Sequence, residues 1–183
     1  RHLVEVLDPT RNQIGVIVFS GHVDPVTGER MSADQRDAIV KVPLTSELAG
    51  VREALAQIRL EGAYGATNYA AAIQLSVVEL AGLSQAYSKP RSEARKVVLF
   101  LTDGVPTFPF GKGTSADPED TEAAIAAARL AHRASIAINS FALGQQALTS
   151  PVALTEISRI TLGAFTPVRN PGDIVGFLQG VSF

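Results

Sequence analysis

Two oxygen-bearing side chains stand out in this 183-residue chain. Asp103 follows an apolar run in VVLFLTDGVPT, and Thr67 lies in GATNYAAAI, between a glycine-bearing loop and a long helical pattern. A carboxylate and a hydroxyl are hard ligands, suited to Mg²⁺, Mn²⁺ or Ca²⁺ and poorly suited to zinc. A fold that brings the two side chains together would make them part of a site for a divalent cation.

Both residues also have a simpler interpretation. An Asp before a Gly commonly forms a turn, and the spacing alone leaves the ligand and turn interpretations of Asp103 evenly matched. Thr67, or Asn68 beside it, is a suitable N-cap for the helix that follows. For Thr67 the capping and ligand roles are compatible.

The apolar pattern predicts the strands that position this pair. Residues 97–101 are five apolar residues without polar alternation, which indicates a strand buried on both faces of a parallel sheet. Residues 13–20 form a second such run, and residues 38–44 alternate as an edge strand that tolerates Pro43. Further strands are predicted at 136–143 and 164–168.

Helical periodicity separates these strands. The predicted helices begin at about residues 48, 69, 117, 150 and 170, and the second continues to about residue 85. Asp117-Pro118 is a strong start signal, with a capping carboxylate and a proline in the first turn. The alternation predicts an α/β domain with a doubly wound, mostly parallel sheet, helices on both faces and one antiparallel edge strand. Asp103 and Thr67 then fall at the ligand-binding end of the sheet.

Composition limits the classes of function. With 46% hydrophobic and 19% charged residues, the chain reads as one globular domain over residues 1–183. A net charge of −2 gives no electrostatic case for nucleic acid or an anionic membrane as partner. No apolar run approaches the ~18 residues of a membrane helix. The absence of cysteine excludes disulfides and thiolate metal sites.

The residues do not indicate catalysis. Ser20 lacks the Gly-x-Ser-x-Gly elbow, and residues 111–115 lack the spacing of a phosphate-binding loop. A phospho-acceptor of receiver type, with Asp103 as nucleophile, needs a further acidic pair and a lysine on a later strand, and residues 136–143 offer no lysine. We therefore expect that the chain is not an enzyme.

Four motifs in order give the chain a family resemblance: FSG at 19–21, G-x-T-N at 65–68, TDG at 102–104 and ISRITLGAFTPV at 157–168. Together they resemble a von Willebrand factor type A (vWA) domain over essentially the whole chain. The resemblance implies a metal-ion-dependent adhesion site holding Mg²⁺, or Mn²⁺ or Ca²⁺, with Thr67 and Asp103 as two of its ligand positions. It also implies that a carboxylate of a partner protein completes the coordination.

The remaining ligand position of the family is absent from this sequence. An Asp-x-Ser-x-Ser at the end of the family's first strand supplies an acid and two hydroxyls, and no such motif occurs here. In the family's strand order that strand lies between residues 13–20 and 97–101. We therefore expect an N-terminally truncated vWA-like domain whose central first strand is missing and whose metal site is incomplete.

Partner recognition is predicted on the loops around this site. Long loops on a rigid scaffold tend to carry recognition, and residues 21–37 and 105–116 project from the same end. The predicted partner-binding residues are Tyr64, Asn68, Phe108 and Phe110. The resemblance also leaves an alternative, a non-catalytic assembly subunit or domain of a metal-chelatase or ATPase complex. It favours a secreted or cell-surface location over a cytoplasmic one.

Overall fold

The structure, a computed structural model, describes residues 4, 7–21, 37–62, 65–111 and 115–179. The strands are β1 (Ile14–Phe19), β2 (Ala38–Thr45), β3 (Lys96–Thr102), β4 (Ile136–Ala142) and β5 (Phe165–Pro167). The helices are α1 (Leu48–Glu61), α2 (Tyr69–Ala81), α3 (Pro118–Arg133), α4 (Gln145–Thr149), α5 (Val152–Ile160), a 3₁₀ turn (Pro171–Asp173) and α6 (Ile174–Gln179). None of the helices formed by the described residues is both long and apolar enough to cross a membrane.

The strand order confirms the predicted α/β class and adds a break in the sheet. β1 pairs with β2 in antiparallel fashion, and β3, β4 and β5 form a parallel sheet in that order. The described strands thus form two sheets instead of one, because β1 and β3 share no ladder of hydrogen bonds. The break lies where the family resemblance places the missing central strand.

An apolar core lies under one face of the parallel sheet. Phe100 of β3 and alternate residues of β4 face α2, α3 and α5. The alanines of α3 explain how closely that helix approaches its neighbours: Ala124, Ala127, Ala128 and Ala131 are all fully buried. Small side chains at these positions leave room for the larger residues of α2, α5 and the sheet to pack between them.

β3 is less buried than its sequence predicts. Phe100 is buried, but Leu101 is 37% exposed and residues 97–99 are half-buried. The reason is a cleft of about 860 Å³ between β1 and β3, lined by residues of both strands. A run of apolar residues is typical of a strand that its neighbours cover, and among the described residues no strand pairs with the edge of β3 that faces the cleft.

Two helix ends differ from the sequence prediction. α2 ends at Ala81, about four residues early, because Gly82 adopts the left-handed conformation with φ of 65° and terminates the helix. Residues 145–149, predicted as a loop, form the short helix α4. After α5 the left-handed residue is Leu162 with φ of 58°, not the neighbouring Gly163.

Gly163 is required for a different reason, which gives a testable prediction. A Cβ at this position would overlap the carbonyl oxygen of Ile138 in β4. We expect Gly163→Ala to lower the free energy of unfolding by about 2 kcal/mol or more, since the backbone of a packed strand cannot yield. Chemical denaturation monitored by circular dichroism measures this change.

The matched control is Gly50→Ala in α1. A Cβ there meets no atom within 4 Å, so the helix propensity of alanine should raise stability by about 0.5–1 kcal/mol. Equal effects of the two substitutions would contradict the close approach of residue 163 to β4.

Candidate metal and partner-binding site

Thr67 is held through its main chain, which leaves its side chain uncommitted. Its N–H donates to the Thr107 hydroxyl at 3.0 Å, and its carbonyl oxygen accepts from the N–H groups of Thr107 at 2.9 Å and Phe108 at 3.2 Å. Within the described residues the Thr67 hydroxyl makes no hydrogen bond, and it lies 3.2 Å from where a Cβ on Gly104 would be. The loop after β3 therefore fixes Thr67 next to the TDG turn.

The loop before Thr67 is fixed to the end of β1. The N–H of Ala66 donates to the carbonyl oxygen of Gly21 at 2.5 Å, forming an isolated bridge between the two segments. Gly65 has φ of 83°, and a Cβ on it would lie 2.5 Å from the same carbonyl oxygen. Because no side chain fits at residue 65, glycine is needed for this close approach.

Asp103 lies on the surface at the end of β3. Within the described residues its carboxylate makes no hydrogen bond, and the turn is instead closed by a weak contact from the Gly104 N–H to the Thr102 hydroxyl at 3.4 Å. The turn interpretation of Asp103 therefore has no hydrogen bond to support it. Gly144 passes close by, since a Cβ on it would lie 2.7 Å from the Asp103 Cβ.

Tyr69, the first residue of α2, fixes the TDG turn from below. Its hydroxyl donates to the carbonyl oxygen of Gly104 at 2.6 Å, and its side chain is almost fully buried. Burial raises the pKa of this phenol well above its usual range; the hydrogen bond with Thr102 opposes the shift and the charge of Asp103 adds to it. The phenol therefore remains a protonated donor to the turn.

The donor chemistry fits a hard divalent cation, but the number of donors does not complete a site. Thr67 presents one hydroxyl and Asp103 one carboxylate. Within the described residues neither group makes a hydrogen bond that would compete with a cation. No group of three or more His, Cys, Asp or Glu side chains suited to a metal occurs among the described residues. Mg²⁺ requires six oxygen ligands in near-octahedral geometry, so these two residues can supply only part of the shell.

Asn68 is a structural residue. Its Oδ1 accepts from the N–H of Ala71 at 3.0 Å as the N-cap of α2, and its Nδ2 donates to Asp37 at 2.8 Å. Asn68 and Asp37 are both buried, with exposures of 4% and 6%. Asn68, and not Thr67, is therefore the helix cap. The sequence analysis predicted that Asn68 contacts a partner, but its amide is buried and not accessible.

The two phenylalanines of the loop after β3 have opposite environments. Phe108 is 3% exposed and packs against Gly21, where a Cβ would overlap its ring. Its ring is therefore part of the interior and cannot present itself to a partner. Phe110 is 64% exposed, so it is available as a partner-binding residue. Tyr64, the remaining predicted contact, lies outside the described residues.

A buried carboxylate, that of Asp120, holds this loop, and the sequence analysis did not single it out. Asp120, in the first turn of α3, is fully buried and accepts from the N–H groups of Phe110 at 2.6 Å and Gly111 at 3.0 Å. Asp117, two residues before the first turn's acids, is the helix cap as predicted and accepts from the Glu119 N–H. The available signal in the sequence was an acid in the first turn of the helix, Asp120, in addition to the capping Asp117.

The loop after β3 contains two phenylalanines, and we predict that replacing each one by alanine changes the free energy of unfolding by a different amount. We expect Phe108→Ala to lower the free energy of unfolding by about 3–5 kcal/mol, because it opens a cavity between the loop and Gly21. Phe110→Ala should change it by less than about 0.5 kcal/mol, since the side chain is mostly in solvent. Urea titration of both variants measures the difference, and similar losses would refute the assignment of Phe108 to the interior.

Comparisons with known proteins identify the fold. No protein-family model and no curated protein sequence matches the chain. It is similar to the crystal structure of an aerotolerance-related membrane protein from Bacteroides fragilis, with a TM-score of 0.64, 17% identity, and coverage of 97% of this chain and 81% of that one. It is also similar to the SpRpn10 VWA domain, with a TM-score of 0.60, 13% identity, and coverage of 100% and 80%.

A third similar structure is the TFIIH p34 N-terminal domain, with a TM-score of 0.55, 16% identity, and coverage of 92% of this chain and 75% of that one. Identities this low establish the fold and leave function open. The matches nevertheless extend over nearly all of the chain, as the order of the four sequence motifs predicted. The chain therefore has the fold of von Willebrand factor type A domains.

Proposed function

We propose that this chain is a non-catalytic protein-binding module that engages its partner through a divalent cation held at Thr67 and Asp103. The observation that carries the proposal is the state of these two side chains. They come from different loops to the same end of the sheet, and their oxygens make no hydrogen bond within the described residues. The main chain around them is held by neighbouring loops, so the oxygens are positioned without being used.

In this proposal Thr67 and Asp103 hold Mg²⁺, or Mn²⁺ or Ca²⁺, through one hydroxyl and one carboxylate. The cation would supply the positive charge that attracts an Asp or Glu carboxylate of a protein partner. Residues 1–183 contain no Asp-x-Ser-x-Ser, so Thr67 and Asp103 would supply only part of the ligands that such a site needs.

The partner surface would lie around this site. Phe110 is the exposed aromatic residue of the loop after β3 and supplies the apolar contact that such an interface needs at its centre. Charge gives no support for nucleic acid as the partner. The location we propose is secreted or at the cell surface, and the membrane protein among the structural relatives supports it.

Manganese provides a direct test on residues 1–183, because its paramagnetism broadens the NMR signals of nearby nuclei even when binding is weak. We expect Mn²⁺ to broaden the amide signals of Thr67, Asp103 and Gly104 first. The dissociation constant should be no tighter than on the order of millimolar, because two protein donors leave most of the shell to water. The chain should also tend to aggregate, since open strand edges promote association.

Two variants separate the proposed site from general attraction of a cation to an acidic protein. Asp103→Asn should abolish the local broadening, whereas Asp173→Asn, a change of the same charge on the 3₁₀ turn, should leave it unchanged. Broadening centred elsewhere, or persisting in Asp103→Asn, would overturn the proposal. So would a monodisperse chain that binds Mg²⁺ with micromolar affinity, because that requires a complete site.

A further inference from the structure

The loop after β4 brings a third side-chain oxygen to the TDG turn. Two side-chain atoms lie close to the point that a Cβ on Gly104 would occupy, the Thr67 hydroxyl at 3.2 Å and Oε1 of Gln146 at 3.8 Å. They come from distant parts of the chain, since Thr67 precedes α2 and Gln146 lies in α4. Because Gly104 directly follows Asp103, the amide oxygen of Gln146 lies at the same turn as both proposed ligands.

The main chain holds the loop after β4 against this turn. The N–H of Leu143 donates to the carbonyl oxygen of Thr102 at 2.8 Å, which continues the pairing of β3 and β4 beyond the last paired residues. A Cβ on Gly144 would overlap the carbonyl oxygen of Asp103 and lie 2.7 Å from its Cβ. Only glycine permits so close an approach, so residue 144 is needed to bring the following residues to Asp103.

Helix α4 fixes the backbone of Gln146 between two anchored residues. Gly144 lies against Asp103, and Ala147 is fully buried in the apolar core. The carbonyl oxygen of Gln146 accepts from the N–H of Ser150 at 3.1 Å. The main chain of Gln146 is therefore positioned by its neighbours, as the main chain of Thr67 is.

The side chain of Gln146 is exposed and unused. Within the described residues its amide makes no hydrogen bond, which is also the state of the Thr67 hydroxyl and the Asp103 carboxylate. The amide oxygen of glutamine is a hard ligand of the kind that Ca²⁺ and similar cations accept in proteins. Three oxygens of suitable chemistry thus reach one turn from three loops.

We propose that Gln146 is a third protein ligand of the divalent cation, bound through its amide oxygen. This inference rests on the cation site proposed above at Thr67 and Asp103. Three protein oxygens occupy about half of a six-oxygen shell. The affinity of residues 1–183 for a cation consequently stays weak, and positions remain for water and for a group of the partner.

The neutrality of Gln146 determines which partner group is favoured. Asp103 carries the single negative charge among the three ligands, so a bound divalent cation keeps a net positive charge. A carboxylate is then preferred to a neutral oxygen as the completing ligand, because opposite charges attract strongly at coordination distance. An acid at position 146 would remove this preference, since it would neutralise the cation before a partner binds.

The test is a Mn²⁺ titration of isotope-labelled residues 1–183, read as broadening of the Gly104 amide signal at one subsaturating concentration. Gln146→Ala should reduce the broadening by about tenfold, because it removes a group that holds the cation. Gln146→Glu should increase it by about tenfold, because it adds a charge in contact with the cation. A purely structural role in α4 would give a loss in both variants. No change in Gln146→Ala, or a loss in Gln146→Glu, would overturn the proposal.

Gln145 provides the matched control. It is the neighbouring residue of α4 and is also exposed, but none of its atoms lies within 4 Å of the point beside Gly104. Gln145→Ala should leave the broadening unchanged. Gln145→Glu should increase it by no more than about twofold, because solvent and salt screen a charge that does not contact the cation. Equal effects at residues 145 and 146 would indicate general attraction of the cation and overturn the ligand role.

Asp103→Asn in the same series separates this inference from the proposed function. If Asp103→Asn abolishes the broadening and Gln146→Ala does not change it, the cation site stands and Gln146 is not its ligand. If the unmodified chain shows no broadening at Thr67, Asp103 and Gly104, both proposals fail. The side-chain amide signals of Gln146 should also broaden at lower Mn²⁺ concentration than those of Gln145, and the reverse order would contradict the assignment.

Discussion

The main chain of residues 66–68 is the constraint on which the site depends. Ala66 binds the end of β1, Thr67 binds the loop after β3 through both its N–H and its carbonyl oxygen, and Asn68 caps α2. Asn68 also binds Asp37, whose carbonyl oxygen accepts from the N–H of Ser20. Three consecutive residues thus join two strands, a helix and a loop, and they do so without the hydroxyl of Thr67.

Two kinds of unused polar group result, and they differ in what can satisfy them. At the site end the main chain is paired and the side-chain oxygens of Thr67 and Asp103 are left, which suits a cation. Along the cleft the side chains are largely apolar, and among the described strands β1 pairs only with β2 and β3 only with β4, so backbone groups on their facing edges are left. The rings of Phe19 and Phe100 stack at 5.0 Å between centroids, so the two walls already contact each other through side chains.

Sequence reasoning succeeded where the signal is local. The pattern of apolar residues, as runs or as alternation, identified every described strand, and Asp117-Pro118 identified the start of α3. It was less successful where tertiary contacts decide the outcome. The type of Phe108 is the same as that of Phe110, and only the position of Gly21 shows that one ring is interior. Similarly, the capping alternatives at Thr67 and Asn68 are resolved by the buried partner Asp37, which lies 31 residues away.

The extent of burial could not be predicted from the run at 97–101 either, for a physical reason. A run of five apolar residues indicates a strand that is covered on both faces and paired on both edges. Whether that need is met depends on a neighbouring strand, and composition does not reveal whether the neighbour is present. The exposure of Leu101 and the half-burial of residues 97–99 show that this strand is only partly covered.

The direction of β1 and β3 explains why residues from distant parts of the chain meet at one end of the fold. Before the two strands, the Gln13 side chain donates to the carbonyl oxygen of Lys89 and accepts from the N–H of Arg91. After them, Gly21 binds Ala66, and Thr107 and Phe108 bind Thr67. β1 and β3 therefore run in the same direction, and the loops that follow them meet at the segment 66–68. The position of Thr67 beside the TDG turn is thus a consequence of strand direction and of main-chain hydrogen bonds, and not of any contact made by its own hydroxyl.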